Sequence, residues 1–416
     1  MNQFTFKRGL RSSLLIMIAI GLVSMVMTFM GDDPMHTRFW SNILHNSVFF
    51  TGIGLLAFFM WSVHITAWSA WNVVFKRVWE AYALFLIPGL ILMLIVAAGI
   101  WGGWHNLYHW ADAESVANDK ILQGKSSFLN KNWYTFGTLI VMGIWIFVLL
   151  KLRGLSKRED TEGDLTFALH RKSRIWAAAS LPLIGFGSAV VIWQWVMSVD
   201  AHWYSTIFAW YNAASMLVAM LAMTIIMMYY LKSLGYFRLV NTEHLHDLGK
   251  YLFAFSIFWT YLWFSQYMLI WYANFGEETI YFKQRLDNYP VLFFGNVIVN
   301  FALPFIILLR NDTKRKLGVM VFVSAVVFLG HWLDFFLMLK PGILNTMHEL
   351  ADKSGEHITV HGGFTAGFSL PGFLEFGTMI GFLGFFLYFS FAMLTRAGLV
   401  PKNDPYLAES VHHHVE

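Results

Sequence analysis

Ten long apolar stretches, separated by short polar segments, account for most of the 416-residue chain. Each is close to the roughly 20 residues that an α-helix needs to cross a bilayer. Because the hydrocarbon core offers no hydrogen-bond partner to exposed backbone groups, such stretches are expected to be helical. The predicted spans are 12–30, 46–70, 81–104, 133–150, 175–198, 208–231, 250–272, 290–309, 317–339 and 371–395.

The distribution of basic residues predicts the orientation of these spans. An even number of spans leaves both termini on the same side of the membrane. The segments on that side carry 21 of the 29 lysines and arginines, and the segments on the other side carry 8. Because basic residues accumulate in cytoplasmic loops, both termini are predicted to be cytoplasmic. The longest extracytoplasmic loops are then 105–132 and 340–370.

The composition agrees with an all-α integral membrane fold. Hydrophobic residues make up 57% of the chain and charged residues 13%, whereas soluble domains carry about 25% charged residues. We predict one polytopic membrane domain over residues 1–416, with short tails over about 1–11 and 396–416. Spans 2–5 and 6–9 are expected to form two four-helix bundles, with spans 1 and 10 at the periphery. The net charge of +4 does not indicate nucleic acid as a partner, because the basic residues lie in short loops.

The chain contains no cysteine. This excludes disulfides, thiolate-bound Fe–S clusters, cysteine-based zinc sites and the covalent attachment of c-type haem. A non-covalent haem would need paired histidines on facing helices, and the histidines in or near the spans offer no obvious pair at matching depth. No metal site is therefore predicted in this chain.

His331 and Asp334 are ionisable residues inside an otherwise apolar span. Their spacing of three places them on the same helix face, in the half nearer the extracytoplasmic surface. A carboxylate within the membrane is costly and usually serves proton or substrate handling. A neighbouring carboxylate can fix the histidine tautomer and accept its proton, which suits quinol deprotonation or a proton path. The alternative is a buried polar pair that only holds helices together.

Three further residues lie at a similar outer depth. Glu375 enters the tenth span about one turn below its outer end, and Asp200 and His202 follow the fifth span. With Asp334 they would form an exit route for protons or the polar wall of a quinol pocket. Alternatively, Asp200 caps the next element or contacts water, and Glu375 stabilises a helix N-terminus through the helix dipole.

The inner half and the seventh span supply the remaining candidates. His64 and Glu80 would begin a cytoplasmic half-channel, although a lone histidine on an apolar helix is more often a hydrogen-bonded core residue. Gln266 lies in an aromatic span and would bond a quinone carbonyl in a prenyl-quinone pocket. The alternative there is ordinary helix packing and interfacial anchoring by the aromatic residues.

Several separated segments resemble one known family. They are Val-Met-Ser-Val-Asp-Ala-His-Trp-Tyr-Ser-Thr at 196–206, the aromatic stretch 258–273 and Pro-Tyr-Leu-Ala-Glu-Ser at 405–410. Together with the number of spans, they resemble the NrfD/PsrC-like membrane subunits of bacterial alternative complex III, and among these the F-type, second quinone-binding subunit. The resemblance covers nearly the whole chain.

The resemblance implies a role in a respiratory complex of the bacterial cytoplasmic membrane. Complexes of this family oxidise menaquinol and pass electrons to a cytochrome c or directly to a terminal cytochrome oxidase. Their Fe–S clusters and c-type haems lie in partner subunits. The implied partners are therefore a homologous NrfD-like membrane subunit, an Fe–S subunit, multihaem and monohaem cytochrome c subunits, and membrane lipids.

The same resemblance implies quinol or quinone binding, proton translocation, or both, in a subunit without redox centres of its own. Menaquinol or menaquinone is the expected ligand. Two other interpretations remain open. One is a proton-coupled secondary transporter, for which broken helices at corresponding positions of two halves would be expected. The other is a non-catalytic membrane scaffold of the same complex.

Overall fold

The computed structural model describes residues 3–164, 166–354 and 367–414, and over these residues the protein is built from helices. The α-helices are α1 (Arg8–Met30), α2 (Thr37–Thr66), α3 (Lys76–Ala83), α4 (Leu86–Gly102), α5 (Ala113–Asn118), α6 (Lys120–Lys125), α7 (Lys131–Glu162), α8 (Ala168–Trp195), α9 (Ile207–Ser233), α10 (Thr242–Ala273), α11 (Gly276–Asn288), α12 (Pro290–Val297), α13 (Leu303–Leu308), α14 (Leu317–Ser354), α15 (Phe373–Leu394) and α16 (Leu407–Val411). Short 3₁₀ turns lie at Val73–Phe75, His109–Ala111, Met197–Val199 and Thr313–Arg315, and a π-helical turn lies at Ile298–Ala302.

Within the described ranges, nine helical segments are long and apolar enough to cross a membrane. The protein is therefore an all-α, multi-pass membrane protein, as the sequence predicts. The nine segments are Arg8–Met30, Thr37–Thr66, Val73–Gly102, Lys131–Glu162, Ala168–Val199, Ile207–Ser233, Pro290–Leu308, Leu317–Leu350 and Phe373–Leu394. They coincide with nine of the ten predicted spans.

The seventh predicted span, 250–272, lies inside α10, which is 32 residues long. It is absent from the nine because polar atoms on its indole, phenol, hydroxyl and amide side chains reduce its mean hydropathy. Its length alone would suffice to cross a bilayer. By length and composition, the described residues therefore hold nine candidate spans, and a tenth crossing by α10 remains a prediction.

Helix α14 is longer than predicted. The predicted span ends at residue 339, before Pro341-Gly342, and the sequence predicts an outer loop over 340–370. The helix instead continues to Ser354. Residues 355–366 lie outside the described residues. Proline lacks the N–H that the carbonyl four residues earlier would accept. Here that carbonyl, on Leu337, accepts a hydrogen bond from Arg285 Nε at 2.8 Å. This contact from α11 explains why the proline does not end the helix.

The helices pack in a definite neighbour order. Helix α2 contacts α4 and α8, α4 contacts α7, and α7 contacts α8. Helix α9 contacts α10 and α14, while α10 contacts α13 and α12 contacts α14. Helices α2 and α8 also contact α9, and α14 contacts α2. The remaining pair, α1 and α15, packs along its length and touches the rest mainly through α2 and α3.

The two ends of the described chain lie together. Gln3 forms an isolated antiparallel bridge with Gly398, and its side-chain amide donates to the Thr395 carbonyl at 2.9 Å. We call this the terminal end of the molecule. The connection between α1 and α2, and the residues that follow α8, lie at the opposite end.

Candidate functional site

Asp334 lies in the interior of the protein and is fully buried. Its Oδ1 accepts hydrogen bonds from the Tyr211 hydroxyl and from Asn296 Nδ2 at 2.7 Å. Its Oδ2 accepts from Ser215 Oγ at 2.8 Å and from Trp259 Nε1 at 2.9 Å. Two donors on each oxygen match the acceptor capacity of an ionised carboxylate. The surroundings therefore replace the water that a buried charge loses.

His331 reaches Asp334 through Ser215. The direct separation between His331 Nδ1 and Asp334 Oδ2 is 4.0 Å, too long for a hydrogen bond. Ser215 Oγ lies 2.9 Å from His331 Nδ1. Since the serine proton is directed to Asp334, Ser215 Oγ accepts from an Nδ1–H of His331. The other ring nitrogen, Nε2, is buried and has no hydrogen-bond partner among the described residues.

The four donors to Asp334 lie on three neighbouring helices. Tyr211 and Ser215 lie one turn apart on α9, Trp259 on α10, and Asn296 on α12. The next amide along, Asn300, donates to Asn296 Oδ1 at 2.5 Å from within the π-helical turn. A π-turn places an extra residue in the helix and is frequent at functional sites. We call these residues, with His331, the Asp334 cluster.

A small cavity of about 20 Å³ adjoins the cluster on the side away from His331. Tyr211 and Asn296 line it, as do Gln266 and Arg285. Gln266 Nε2 is buried without a hydrogen-bond partner in the described part of the chain. A polar cavity of this size is large enough for about one water molecule, and we call it the inner cavity.

Arg285 forms the far wall of the inner cavity and is anchored by all three of its nitrogens. Nε donates to the Leu337 carbonyl, Nη1 to the Tyr281 carbonyl at 3.0 Å, and Nη2 to the Met338 carbonyl at 3.1 Å. Nη2 also lies 3.1 Å from Asp200 Oδ2. These contacts hold the guanidinium at a fixed place between α11 and α14.

Asp200 is fixed from the other side by Gly342 of α14. A Cβ at position 342 would lie 2.7 Å from Asp200 Oδ1, so only glycine leaves room for the carboxylate. Burial raises the pKa of Asp200, and the charge and hydrogen bond of Arg285 oppose that shift. Asp200 is thus half of an ion pair in which Arg285 is buried and the carboxylate is partly exposed to the outer side.

A second cavity, of about 80 Å³, lies beyond this ion pair, and we call it the outer cavity. Asp200 and His202 line it together with His109 and Glu349. His202 Nε2 lies 2.5 Å from Asp119 Oδ2, and this contact lowers the pKa of Asp119. His109 Nδ1 lies 3.3 Å from Glu349 Oε2. The predicted neighbours Asp200 and His202 therefore face the same cavity.

Glu375 belongs to a different cluster from Asp334. Arg38 donates to both of its oxygens, through Nε at 2.6 Å and Nη2 at 2.8 Å. Asn42 Nδ2 lies 3.2 Å from Oε1, and the Gly372 amide donates to Oε2 at 2.9 Å. Lys340 lies nearby and donates to Asn42 Oδ1 at 2.6 Å. The contacts of Glu375 join α15 to α2, so they favour the structural alternative, which includes capping of α15.

Glu80 is fully buried near the terminal end in a network of ions. Arg77 Nη1 donates to its Oε2 at 2.7 Å, Arg153 pairs with the same oxygen, and Ser156 Oγ donates to Oε1 at 2.8 Å. The Arg77 guanidinium continues to Asp160. Two cations thus neutralise the carboxylate, and this network ties α3 to α7.

His64 lies apart from that network, between aromatic rings. Its Nδ1 donates to the Met60 carbonyl at 2.7 Å, and the rings of Trp71, Trp79 and Tyr251 surround it at 5.1 to 5.9 Å. It lines a cavity of about 30 Å³ with four ionisable residues at the terminal end. Those residues are Lys76, Glu159, His170 and Asp404.

Several residues of these sites escaped the sequence analysis. Tyr211, Ser215, Trp259 and Asn296 carry no charge and are ordinary in membrane helices, so nothing in the sequence marks them. Arg285 falls in a segment taken as a loop. The only signal is that this arginine lies in a segment predicted to be on the side of the membrane with few basic residues.

The described side chains and cavities bear on two classes of ligand, metal ions and quinones. Among the described residues, no group of three or more histidine, aspartate or glutamate side chains could hold a metal ion. The inner cavity beside Gln266 is far smaller than the hundreds of Å³ of a ligand pocket and does not fit a quinone ring. A crevice of about 170 Å³ between α2, α8, α9 and α10 has an almost wholly apolar lining, with no ionisable side chain to orient a quinone head group.

Comparison with protein-family models finds no model that matches the chain. Comparison with curated proteins finds no significant match.

Proposed function

We propose that this protein is a membrane subunit of a respiratory quinol-oxidising complex similar to bacterial alternative complex III, and that the Asp334 cluster passes protons. One observation carries the proposal: a fully buried carboxylate receives four hydrogen bonds from three neighbouring helices and connects through Ser215 to a histidine. Electron carriers and the quinol head group are assigned to partner subunits, namely an Fe–S protein, cytochromes c and a related membrane subunit. The complex is assigned to the bacterial cytoplasmic membrane.

The proposed topology has ten spans in two four-helix bundles. Contacts among α2, α4, α7 and α8, and among α9, α10, α12 to α13 and α14, support these groups. The contact between Gln3 and Gly398 supports an even number of crossings, and therefore a crossing by α10. Helices α1 and α15 form the peripheral pair. With the excess of basic residues at the terminal end, both tails are assigned to the cytoplasm.

A proton passes through the cluster by exchange of hydrogen-bond roles. A proton that binds His331 Nε2 makes the imidazolium, whose Nδ1 proton moves to Ser215 Oγ. The serine proton moves at the same time to Asp334 Oδ2. Histidine is left neutral with its proton on Nε2, serine is unchanged and Asp334 is protonated. Release of the Asp334 proton toward the inner cavity, which Tyr211 and Asn296 line, restores the carboxylate. Before the next transfer, His331 returns from its Nε2–H to its Nδ1–H tautomer and the Ser215 hydroxyl turns back toward Asp334.

The test is the substitution Asp334→Asn in the intact complex in native membranes. The amide cannot take up a proton, and we expect proton transfer through this subunit to slow by about 100-fold, the usual weight of one proton-transfer group. Proton release per quinol should therefore fall to the level set by quinol oxidation itself in the partner subunits. The control is Asp287→Asn, an exposed residue at the same end of the molecule. Normal proton release in Asp334→Asn membranes, with the protein present in normal amount, would contradict the proposal.

A second candidate is a proton-coupled secondary transporter. It is favoured by the π-helical turn at Ile298–Ala302, which lies beside the Asp334 cluster within the helical segment Pro290–Leu308. Turns of this kind are frequent at functional sites. Purification in mild detergent separates the two candidates: cytochromes and an Fe–S protein that co-purify support the respiratory complex, whereas a solitary protein supports the transporter.

A further inference from the structure

Two separate cavities lie between Asp334 and the opposite end of the molecule. The inner cavity, lined by Tyr211 and Asn296, ends at Arg285. The outer cavity begins at Asp200. The Asp200–Arg285 ion pair, with 3.1 Å between its atoms, therefore stands between the two cavities. A proton that leaves Asp334 in this direction meets this pair before it reaches the outer cavity.

We propose that the Asp200–Arg285 pair is the outer gate of the proton route. In this gate, Asp200 is the group that takes the proton from the inner cavity. Arg285 is the positioning residue that keeps Asp200 ready to receive it. The inference rests on the proposed function of the Asp334 cluster. It identifies Asp200 as the site that releases the proton and Arg285 as the barrier on the same route.

Arg285 suits a fixed barrier because several hydrogen bonds hold it in place and it keeps its charge. Its guanidinium makes three hydrogen bonds to backbone carbonyls besides the contact with Asp200. One of these carbonyls, on Leu337, lacks the usual helical donor because Pro341 has no N–H. Arginine stays protonated in proteins. A fixed positive charge beside the inner cavity repels hydronium and other cations that would enter from outside.

Asp200 suits a release site because its two carboxylate oxygens have different surroundings. Oδ2 faces Arg285, and Oδ1 packs against Gly342, which forms part of the lining of the outer cavity. The charged groups around Asp200 are Arg285 on α11 and His202, which is two residues away in the chain. Arg285 favours the ionised carboxylate, so that Asp200 is able to accept a proton.

The transfer is balanced without any further reactant. A proton moves from Asp334, through the Tyr211 side of the cluster and water in the inner cavity, to the Asp200 carboxylate. Neutral Asp200 no longer attracts Arg285, whose three carbonyl contacts keep it in place. The proton then leaves for water in the outer cavity, and Asp200 returns to its ionised form beside Arg285.

The experiment measures protons released per quinol oxidised in native membrane vesicles that hold the complete complex. The variants are Asp200→Asn, which keeps the shape of the side chain, Arg285→Gln and Arg285→Lys. The control is Lys283→Gln, which removes an exposed charge from the same helix. We expect Asp200→Asn and Arg285→Gln to lower the proton yield much more than the rate of quinol oxidation. Arg285→Lys, which keeps the charge, restores part of the yield.

The outcomes separate this inference from the function on which it rests. If Asp334→Asn lowers proton release while Asp200→Asn does not, the gate is wrong and the proton role of the Asp334 cluster stands. If Asp334→Asn has no effect, the proposed function itself fails. Should the Arg285 variants not accumulate in the membrane, Asp200→Asn decides alone, because an unchanged proton yield in that variant overturns the gate.

Discussion

Arg38 holds Glu375 through two parallel hydrogen bonds, 2.6 Å from Nε to Oε1 and 2.8 Å from Nη2 to Oε2. The pair joins α2 to α15 at the end of the molecule opposite the termini. Glu375 is almost completely buried, and Arg38 is about one-fifth exposed. A two-pronged contact between arginine and a carboxylate fixes both side chains more strictly than a single hydrogen bond does.

The first prediction concerns Glu375→Gln. The amide leaves the Arg38 guanidinium without its anion, and removing one partner of a buried pair destabilises a protein by about 3 kcal/mol or more. We expect a lower midpoint of unfolding in detergent, with quinol oxidation unaffected in the fraction that stays folded. Glu162→Gln is the control, since Glu162 pairs with Arg158 on the exposed end of α7. An equal, negligible effect of both substitutions would contradict the structural role of Glu375.

The positions of the helices could be predicted from the sequence because length and hydropathy are local properties of the chain. The end of α14 could not, because it depends on Arg285, which lies about 50 residues earlier and supplies a donor to the carbonyl that Pro341 leaves unpaired. A proline read alone predicts a helix end. Only the tertiary contact reverses that prediction.

The residues of the candidate site also differ in whether the sequence alone could predict them. Asp334 and His331 stand out because ionisable groups are rare in apolar runs. Ser215, which connects them, is one of many serines, and its role depends on α9 facing α14. The grouping of Glu375 with Asp334 rested on depth in the membrane. Depth does not fix which side of a helix a residue faces, and the contacts place Glu375 with Arg38 instead.

A second prediction concerns pH and Asp32, in the connection between α1 and α2. Burial raises the pKa of Asp32 to about 6 from an ordinary value of 3.8. The folded protein therefore binds this proton more tightly than the unfolded chain does, and stability decreases as the pH rises between these values. In Asp32→Asn this decrease is absent. The melting temperature of the native protein should thus fall relative to that of the variant between about pH 4 and pH 6, as the shifted titration requires.

The control for Asp32 is Asp287→Asn, an exposed carboxylate at the same end of the molecule. Its melting temperature should follow that of the native protein at every pH. Parallel curves for the native protein and Asp32→Asn would show that Asp32 makes no contribution to the pH dependence of stability.

A third prediction tests the close contact of α1 with α15. A Cβ added at Gly21 would lie 2.4 Å from the Cα of Gly381, which is backbone and cannot turn aside. Small residues at such positions let membrane helices approach closely. Gly21→Ala should force the pair apart and cost about 1–3 kcal/mol, as overpacking does. Thermal unfolding in detergent measures the loss.

Gly143→Ala is the matched control for Gly21→Ala. Nothing lies within 4 Å of the position that its Cβ would occupy, and it is also a glycine inside a long helix. Alanine has the better helix propensity, so this variant should be as stable as the native protein or slightly more stable. A loss of stability in Gly143→Ala as large as that in Gly21→Ala would show that the contact with Gly381 is not the cause.

The last prediction addresses the hydroxyl between His331 and Asp334. Ser215→Ala removes the group that accepts from His331 Nδ1 and donates to Asp334 Oδ2. The remaining separation of 4.0 Å is too long for direct transfer. We expect proton transfer through this subunit to slow by about 100-fold, as for other proton-transfer groups, so that proton release per quinol falls to the level set by quinol oxidation itself. Ser215→Thr keeps the hydroxyl and should restore most of the rate.

Ser256→Ala controls for the loss of a buried serine in the same group of helices, because Ser256 Oγ has no hydrogen-bond partner in the described part of the chain. That variant should behave as the native protein does. Ser215→Thr keeps the hydroxyl, whereas Ser215→Ala removes it. Equal loss of proton transfer in both variants would therefore mean that the packing of the side chain matters and that the hydroxyl is not a relay. Proton transfer that is retained in Ser215→Thr and lost in Ser215→Ala therefore identifies the Ser215 hydroxyl as the link through which His331 and Asp334 exchange a proton.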